Sequence, residues 1–327
     1  MADGMWVISE EDARALVSVE NAIAAVEQSF AAMARGEARN YPVVREVVGY
    51  QDAVFGVKTG CDTRAPLLGL KAGGYWPHNL AKGLTNHQSS TVLFDPETGR
   101  ASALVSANYL TGVRTGAASA IATKYLSRPD STVLGIIGTG AQSAYQLRAT
   151  LAVRLIRKVY AWDPSPENLV IFGRTVAELG LAYAPQTERQ AVAANADILI
   201  TVTPSQQALV EKSWVRAGTH ISAMGADTKG KQELDPALVA SAALFVDEAE
   251  QAITIGECQH AFNAGLITSQ SFRGSIGAVI AGLCDGRRTA QEITLFDGTG
   301  VALQDLVVAD LAVRLAAERG LGSRIGY

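Results

Sequence analysis

The sequence predicts an α/β protein in two parts, a parallel sheet covered by helices and, N-terminal to it, a smaller α+β part. Three observations lead there. Between Ser131 and Glu248, short continuous apolar runs read as strands (TVLGIIG, KVYAW, LAYAP, DILITVT, HISAMG and LFVDE), and the first of them alternate with helices that end near Val153, Leu179 and Ala196. Strands alternating with helices build parallel sheets, and continuous apolar strands suit a sheet covered on both faces. Ahead of Asp95 the rhythm differs, with short apolar runs punctuated by Gly, Pro and Asn. Finally, 327 residues exceed one ordinary domain of roughly 100–200 residues.

In chain order, Ser9 to Arg35 reads as one helix. Ser9 stands at its N-cap with Asp12 at the capping-box position, and Ala24, Ala25, Phe30 and Met33 recur at helical spacing. From Val43 to Asp95, AVFGVK, LGLKAGG and STVLFD read as strands and DPETGR as a turn. Tyr109 to Leu126 returns to helix, rich in small residues. Near the end, Gln304 to Glu318 is helical, with Leu306, Val307, Leu311 and Leu315 on one side. The expected division is an α+β domain over residues 1–119, completed by 300–327, and the parallel-sheet domain over 120–299.

Composition narrows the function. Apolar residues make up 48% and charged residues 18% of the chain, against roughly 25% charged on average, which suits burial of much surface, as in an oligomer. A net charge of −4 supplies no basic field for nucleic acid. Cys61, Cys258 and Cys284 are scattered and odd in number, so neither disulfides nor a CxxC metal pair are expected, and a cytoplasmic location is the default. Met1-Ala2-Asp3 begins no basic leader, and no apolar stretch reaches about 18 residues, so neither a signal peptide nor a membrane span is expected. His78, His87, His220 and His260 lack HxxxH or HExxH spacing, and no metal site is expected.

The densest signal is Gly138-Thr139-Gly140-Ala141-Gln142-Ser143, which follows a strand and opens a helix. That context makes a GxGxx-small motif a dinucleotide site and the domain a Rossmann domain. Gly138 permits a tight turn, Gly140 lets the backbone approach a pyrophosphate, and Ser143 is small enough for helix–strand packing. The helix N-terminus adds unpaired N–H groups and a positive dipole end. Strand KVYAW runs into Asp163, about 25 residues after Gly138, where an acid hydrogen-bonds the adenosine ribose. Asp163-Pro164-Ser165-Pro166 offers no Arg for a 2′-phosphate, so the expected cofactor is NAD(H) rather than NADP(H). Taken alone, the motif also fits a structural glycine turn, and Asp163 a cap or turn residue.

The stretches LGLKAGGYWPHN, VLFDPETGR, YLTGVRTGAASAIATKYL, GIIGTGAQ, ADILITVTPS, GADTKGKQELD and ITLFDGTGVALQDL, in this order, resemble the ornithine cyclodeaminase/μ-crystallin family over nearly the whole chain. The resemblance implies a homodimer. Its N-terminal α+β domain would be the dimerisation and substrate domain, with the Rossmann domain across a cleft. Arg45, Lys71 and Arg114 match the residues that hold the substrate carboxylate, and Asp227 matches the acid that meets the reacting amine. Lys71 and Asp227 are thus the expected catalytic residues. Thr203, in ADILITVTPS, joins Gly138, Thr139, Gly140, Ala141, Gln142 and Asp163 at the cofactor. Members of the family include cyclodeaminases, amino-acid dehydrogenases, imino-acid reductases and ligand-binding crystallins, so the fold is narrower than the activity.

The chemistry is coherent. Two guanidinium groups and an ammonium suit a carboxylate clamp. Hydride transfer to C=N is easier when the nitrogen is protonated, and a carboxylate at Asp227 stabilises that iminium. Plainer readings also exist, with Lys71 a snorkelling lysine at the end of an apolar strand and Arg114 a surface ion pair at a helix start.

One departure bears on substrate. Cyclodeaminase substrates carry a cationic side chain, whereas here Lys58 lies in the strand before Lys71, and LTNHQSS adds His87 and Gln88. These three suit a second carboxylate and hence a dicarboxylic imino or oxo acid. In this respect the chain resembles reductases that make aspartate from iminosuccinate with NADH. Surface exposure of Lys58 and His87 is the alternative. The expected activity is NADH-dependent imino-acid reduction or amino-acid dehydrogenation. A cyclodeaminase-type lyase using bound NAD and a non-enzymatic crystallin-type binding protein are the alternatives.

Overall fold

The computed structural model describes residues 4–326. Met1, Ala2 and Asp3, on which the expected absence of a leader rests, lie outside the described residues. The first half of the chain runs β1 (Met5–Ile8), α1 (Glu10–Leu16), α2 (Val19–Ala34), β2 (Ala38–Asn40), β3 (Val44–Val47), β4 (Val54–Asp62), β5 (Leu67–Tyr75), β6 (His87–Phe94), β7 (Ala101–Ser106), α3 (Asn108–Leu126), β8 (Val133–Ile137), α4 (Ser143–Leu151) and β9 (Lys158–Trp162). It continues α5 (Pro166–Glu178), β10 (Ala182–Pro185), α6 (Arg189–Asn195), β11 (Ile198–Thr201), β12 (Gln206–Val210), β13 (His220–Ala223), β14 (Gln232–Leu234), α7 (Pro236–Ser241) and β15 (Ala243–Val246). The remainder is α8 (Ala249–Thr254), α9 (Gln259–Asn263), β16 (Phe272–Ser275), α10 (Ile276–Ile280), β17 (Thr294–Asp297), α11 (Ala302–Arg319) and β18 (Ser323–Ile325). Two units result, the first Met1–Arg114 with Val301–Tyr327, the second Thr115–Gly300.

The helix expected over Ser9–Arg35 is in fact two. Ser9 and Asp12 form a reciprocal capping box on α1. Val17 then turns extended, and Ser18 caps α2 by accepting from the Asn21 amide. A serine able to cap a new first turn satisfies N–H groups that a restart would otherwise leave bare.

In the first unit the sheet order is β18-β1-β7-β6-β5-β4-β2, with β3 also on β4. Register places Ile8, Val105, Thr91, Lys71 and Lys58 in one row across it. Residues directly opposite share a face, so the row passes from buried Ile8 and Val105 to two lysines. Helix α11 packs on β4, β5 and β6. Gly60 and Gly69, opposite each other and on the lysine face, make room for it. A Cβ on Gly69 would sit 2.9 Å from Leu306 Cδ2, and one on Gly60 3.5 Å from Leu303 Cγ. On the other face, Val44, Phe55 and Leu104 are exposed.

In the second unit eight parallel strands run β10-β9-β8-β11-β13-β17-β15-β16. The continuous apolar strands are buried, with Ile137, Leu199, Ile221 and Leu295 fully covered. Strand order reverses at β8, which lies between β9 and β11, and ligands of open α/β sheets bind at such switch points. The sheet includes β17, between β13 and β15, which the apolar-run reading passes over. Among the described residues no helix is long and apolar enough to cross a membrane.

Candidate cofactor and carboxylate sites

Four adjacent strands of the second unit, β9, β8, β11 and β13, end beside the residues expected at the cofactor and the amine. Asp163 follows β9, Gly138–Gln142 follow β8, Thr203 comes after β11 and Asp227 after β13. Gly138 is required twice over. Its φ is 96°, and a Cβ would lie 2.6 Å from Thr203 Cγ2 and 2.8 Å from the Val202 carbonyl oxygen. Around Gly140 nothing lies within 4 Å of a Cβ, so the turn is open to close approach. Helix α4 starts just beyond with no side-chain cap, leaving its N-terminal dipole available to an anion. Thr139 Oγ1 and Gln142 Oε1 are buried with no hydrogen-bond partner. Buried polar atoms of that kind fit a site that a polar ligand completes.

Asp163 serves here as a turn residue. Its Oδ2 accepts from the Thr139 amide at 2.7 Å, fastening β9 to the glycine turn, and Oδ1 accepts from the Ser165 amide at 2.8 Å and Asn168 Nδ2 at 3.2 Å. Asp227 is held by Lys231, whose Nζ donates to Oδ1 at 2.6 Å, and Thr228 Oγ1 donates to the same oxygen at 3.2 Å. Lys231 also donates to the Gly225 carbonyl at 3.2 Å, so one cation sets both the loop and its acid.

Below these loops lie acids that the motifs do not single out. Glu233, fully buried, accepts from Thr201 Oγ1 at 2.8 Å, the Thr203 amide at 2.6 Å and the Gly225 amide at 2.9 Å. It therefore ties the loop after β11 to the loop after β13. Glu257 in turn accepts from the Glu233 and Leu234 amides at 2.9 and 2.6 Å. Burial raises both carboxyls above their usual range, Glu257 well above it, where the neighbouring charge of Glu233 adds to the effect. At the end of β17, burial pushes Asp297 up to about 7. Their only signal in the sequence is an acid inside a buried segment, as in QELD and TLFD.

In the first unit Lys71 and Arg114 converge on one carboxylate. Lys71 Nζ and Arg114 Nε both donate to Asp305 Oδ1 at 2.9 Å. Lys71 also donates to Thr111 Oγ1 at 3.4 Å, and Arg114 Nη1 to Gln304 Oε1 at 2.9 Å. Neither plain reading survives. Lys71 stands mid-strand between β4 and β6, Arg114 in the second turn of α3, and both are buried. Burial pushes Lys71 down to about 7; Asp305 counters it, and the charges of Arg114 and Lys58 reinforce it. Burial alone would raise Asp305, but Arg114, Lys71 and Lys58 outweigh it and hold the carboxyl below its usual range.

Lys58 lies directly across from Lys71 and is half-buried. Arg45, on exposed β3, pairs with Gly56 and so shares the lysine face, as does His87, opposite Tyr75. Gln88 does not join them. Strand alternation puts it on the other face, where Nε2 donates to the Thr85 carbonyl at 2.8 Å and Oε1 accepts from Asn108 Nδ2 at 3.0 Å. Asp305 and Gln304 escape the sequence reading because ALQDL is a helical stripe in which two polar residues look solvent-facing.

Comparison with known proteins adds a frame for these features. The ornithine cyclodeaminase/mu-crystallin family model matches residues 5–319. The chain is 51% identical over 321 residues to the iminosuccinate reductase of Paracoccus denitrificans, with 98% of this chain and 99% of that protein covered. A crystal structure of the Paracoccus denitrificans iminosuccinate reductase in complex with NAD+ superimposes with a TM-score of 0.95 at 50% identity, covering 99% of this chain and 100% of that one. The alanine dehydrogenase of Archaeoglobus fulgidus is 38% identical over 327 residues, 98% of each chain. Thermococcus litoralis Δ1-pyrroline-2-carboxylate reductase, in complex with NADH and L-proline, superimposes with a TM-score of 0.94 at 32% identity, covering 98% and 100%.

Proposed function

This chain belongs to the ornithine cyclodeaminase/mu-crystallin family, and on that premise we propose that it is an NADH-dependent oxidoreductase that reduces the C=N bond of iminosuccinate to give aspartate. The observation that carries the substrate is charge. Buried Lys71 and Arg114 share a single carboxylate, Asp305, and half-buried Lys58 lies across from Lys71. Buried cations in excess call for an anion. An imino diacid brings two carboxylates, whereas a diamino acid would bring an ammonium towards Lys58. That balance favours reduction of a diacid over cyclodeamination.

The roles follow from the side chains. Lys71, Arg114 and Arg45 take the α-carboxylate, and Lys58 and His87 the distal one. Gly138, Thr139, Gly140, Ala141 and Gln142 would hold the cofactor pyrophosphate, Asp163 its ribose, and Thr203 the wall beside Gly138. NADH, when bound, would supply the hydride. Asp227 stabilises the protonated nitrogen and restores its proton. Iminosuccinate, NADH and one proton thus yield aspartate and NAD+. Positioning by the clamp contributes several kcal/mol to lowering the barrier.

The test follows NADH absorbance with oxaloacetate plus ammonia, pyruvate plus ammonia, and NADPH in place of NADH. The diacid mixture with NADH should turn over fastest. Lys58→Met should cut kcat/KM for the diacid by about ten- to a hundredfold, the loss of a charged hydrogen bond, and barely change pyruvate turnover. Equal losses on both substrates refute the diacid assignment. Ornithine deamination without net NADH oxidation refutes the reductase. We further infer a cytoplasmic homodimer formed through the open sheet face that carries Val44, Phe55 and Leu104. Light scattering should return twice the chain mass.

A further inference from the structure

Asp305 is absent from the roles above, yet the clamp is built on it. It sits on α11, which the paired glycines Gly60 and Gly69 admit to the sheet face. One oxygen, Oδ1, receives both Lys71 Nζ and Arg114 Nε, each at 2.9 Å. The other, Oδ2, is buried and has no hydrogen-bond partner. These bonds and those to Thr111 and Gln304 occupy two of the three N–H groups of Lys71 and two of the five of Arg114. Several donors are thus left for a ligand while both cations stay fixed.

We propose that Asp305 is a positioning residue: through a single carboxylate oxygen it holds Lys71 and Arg114 as one charged, pre-aligned pair that receives the substrate carboxylate. The proposal rests on the assignment of those two cations to the substrate. Without Asp305, like charges would face one another in a buried site, and Lys71 would shed its proton. The charged groups around Lys71 are Lys58 on β4, Arg114 on α3 and Asp305 on α11, with Arg45 on β3 further along the same face. Only Asp305 favours the ammonium, and it does so against burial and two cations.

The test reads Lys71 directly and does not depend on turnover. The chain has eight lysines (Lys58, Lys71, Lys82, Lys124, Lys158, Lys212, Lys229 and Lys231), few enough for the ε-carbon resonances of 13C-lysine-labelled protein to be followed from pH 5 to 11. Lys71→Met identifies the resonance by its loss. In the native protein that resonance should titrate near 7, and in Asp305→Asn its midpoint should fall by a unit or more. Asp305→Glu keeps the charge but moves it by a methylene. Its Lys71 midpoint should stay within half a unit of native while kcat/KM falls at least tenfold. A midpoint untouched by Asp305→Asn, or full kcat/KM in Asp305→Glu, overturns the proposal. Should Asp305→Asn not fold, Asp305→Glu still decides. Inactivity of the native enzyme on imino acids would instead overturn the proposed function, with the titration unaffected.

Discussion

Both units bury several charges, and they stabilise them by opposite means. In the first, Lys71 and Arg114 both pair with Asp305 at 2.9 Å, and the pairing keeps Asp305 ionised despite burial. In the second, Glu233, Glu257 and Asp297 take their hydrogen bonds mostly from backbone amides and hydroxyls, and their pKa values rise. Ion pairing holds charge in place for a ligand to use. Amide caging fixes loops, and burial, outweighing those amides, favours the neutral acid. The contrast suggests that the first cluster serves binding and the second serves shape, and each half of that statement can be broken separately.

Asp227 gives the largest expected effect, because unlike Glu233, Glu257 and Asp297 it stays part-exposed and cation-paired. If it works as chemistry and not as bracing, Asp227→Ala lowers kcat by about 10²–10⁴-fold, the usual scale for a lost proton-transfer group. NADH affinity, read by fluorescence titration, should stay native. A parallel collapse of NADH binding would move Asp227 to the bracing class and erase the distinction drawn between the two kinds of acid.

The same contrast explains what could be read in advance. The glycine turn, the end of KVYAW at Asp163 and the strand–helix rhythm of the second unit are local patterns, and glycine and apolar runs carry them openly. The break between α1 and α2 was hidden, since Ser18 looks like any polar residue on a helix until its side chain is seen capping Asn21. Asp305 was hidden for a different reason. It lies 234 residues from Lys71 in sequence, and nothing in ALQDL separates a buried counter-ion from a solvated acid. The caged acids share that fault, since their partners are amides, which every residue but proline possesses. Gln88 shows the converse, where proximity to His87 in sequence meant the opposite face of a strand.

Stability should separate the clusters next. Asp305→Asn leaves two buried cations on no carboxylate, and breaking a buried pair in this way costs about 3–5 kcal/mol. Glu257→Gln at neutral pH replaces an acid already pushed towards its neutral form by an amide of the same shape. Its carbonyl still accepts from the Glu233 and Leu234 amides, so the cost should be about 1 kcal/mol or less. Denaturant midpoints of the two variants measure this directly. Equal costs would mean that Glu257 is ionised and that the caged acids are charged after all.

The last effect, at most about 1.4 kcal/mol per pH unit for one proton, is also the one whose sign differs between the units. Asp297 has a folded pKa of about 7 against 3.8 for the free group. A raised pKa contributes stability that is complete below the free value and lost as pH rises through the folded one, so the second unit should weaken from about pH 4 to pH 7. Lys71 has a folded pKa of about 7 against 10.5. A depressed pKa contributes stability present above the free value and lost as pH falls through the folded one, so the first unit should strengthen from pH 7 towards 10.5. The stability difference between Asp297→Asn and native protein should therefore change with pH only on the acid side of 7. The difference between Lys71→Met and native should change only on the alkaline side. Chemical denaturation at intervals from pH 5 to 10 measures both. If Asp297→Asn left the acid-side slope unaltered, that carboxyl would be ionised in its cage of amides, and the second cluster would have to be redrawn as a site that holds charge.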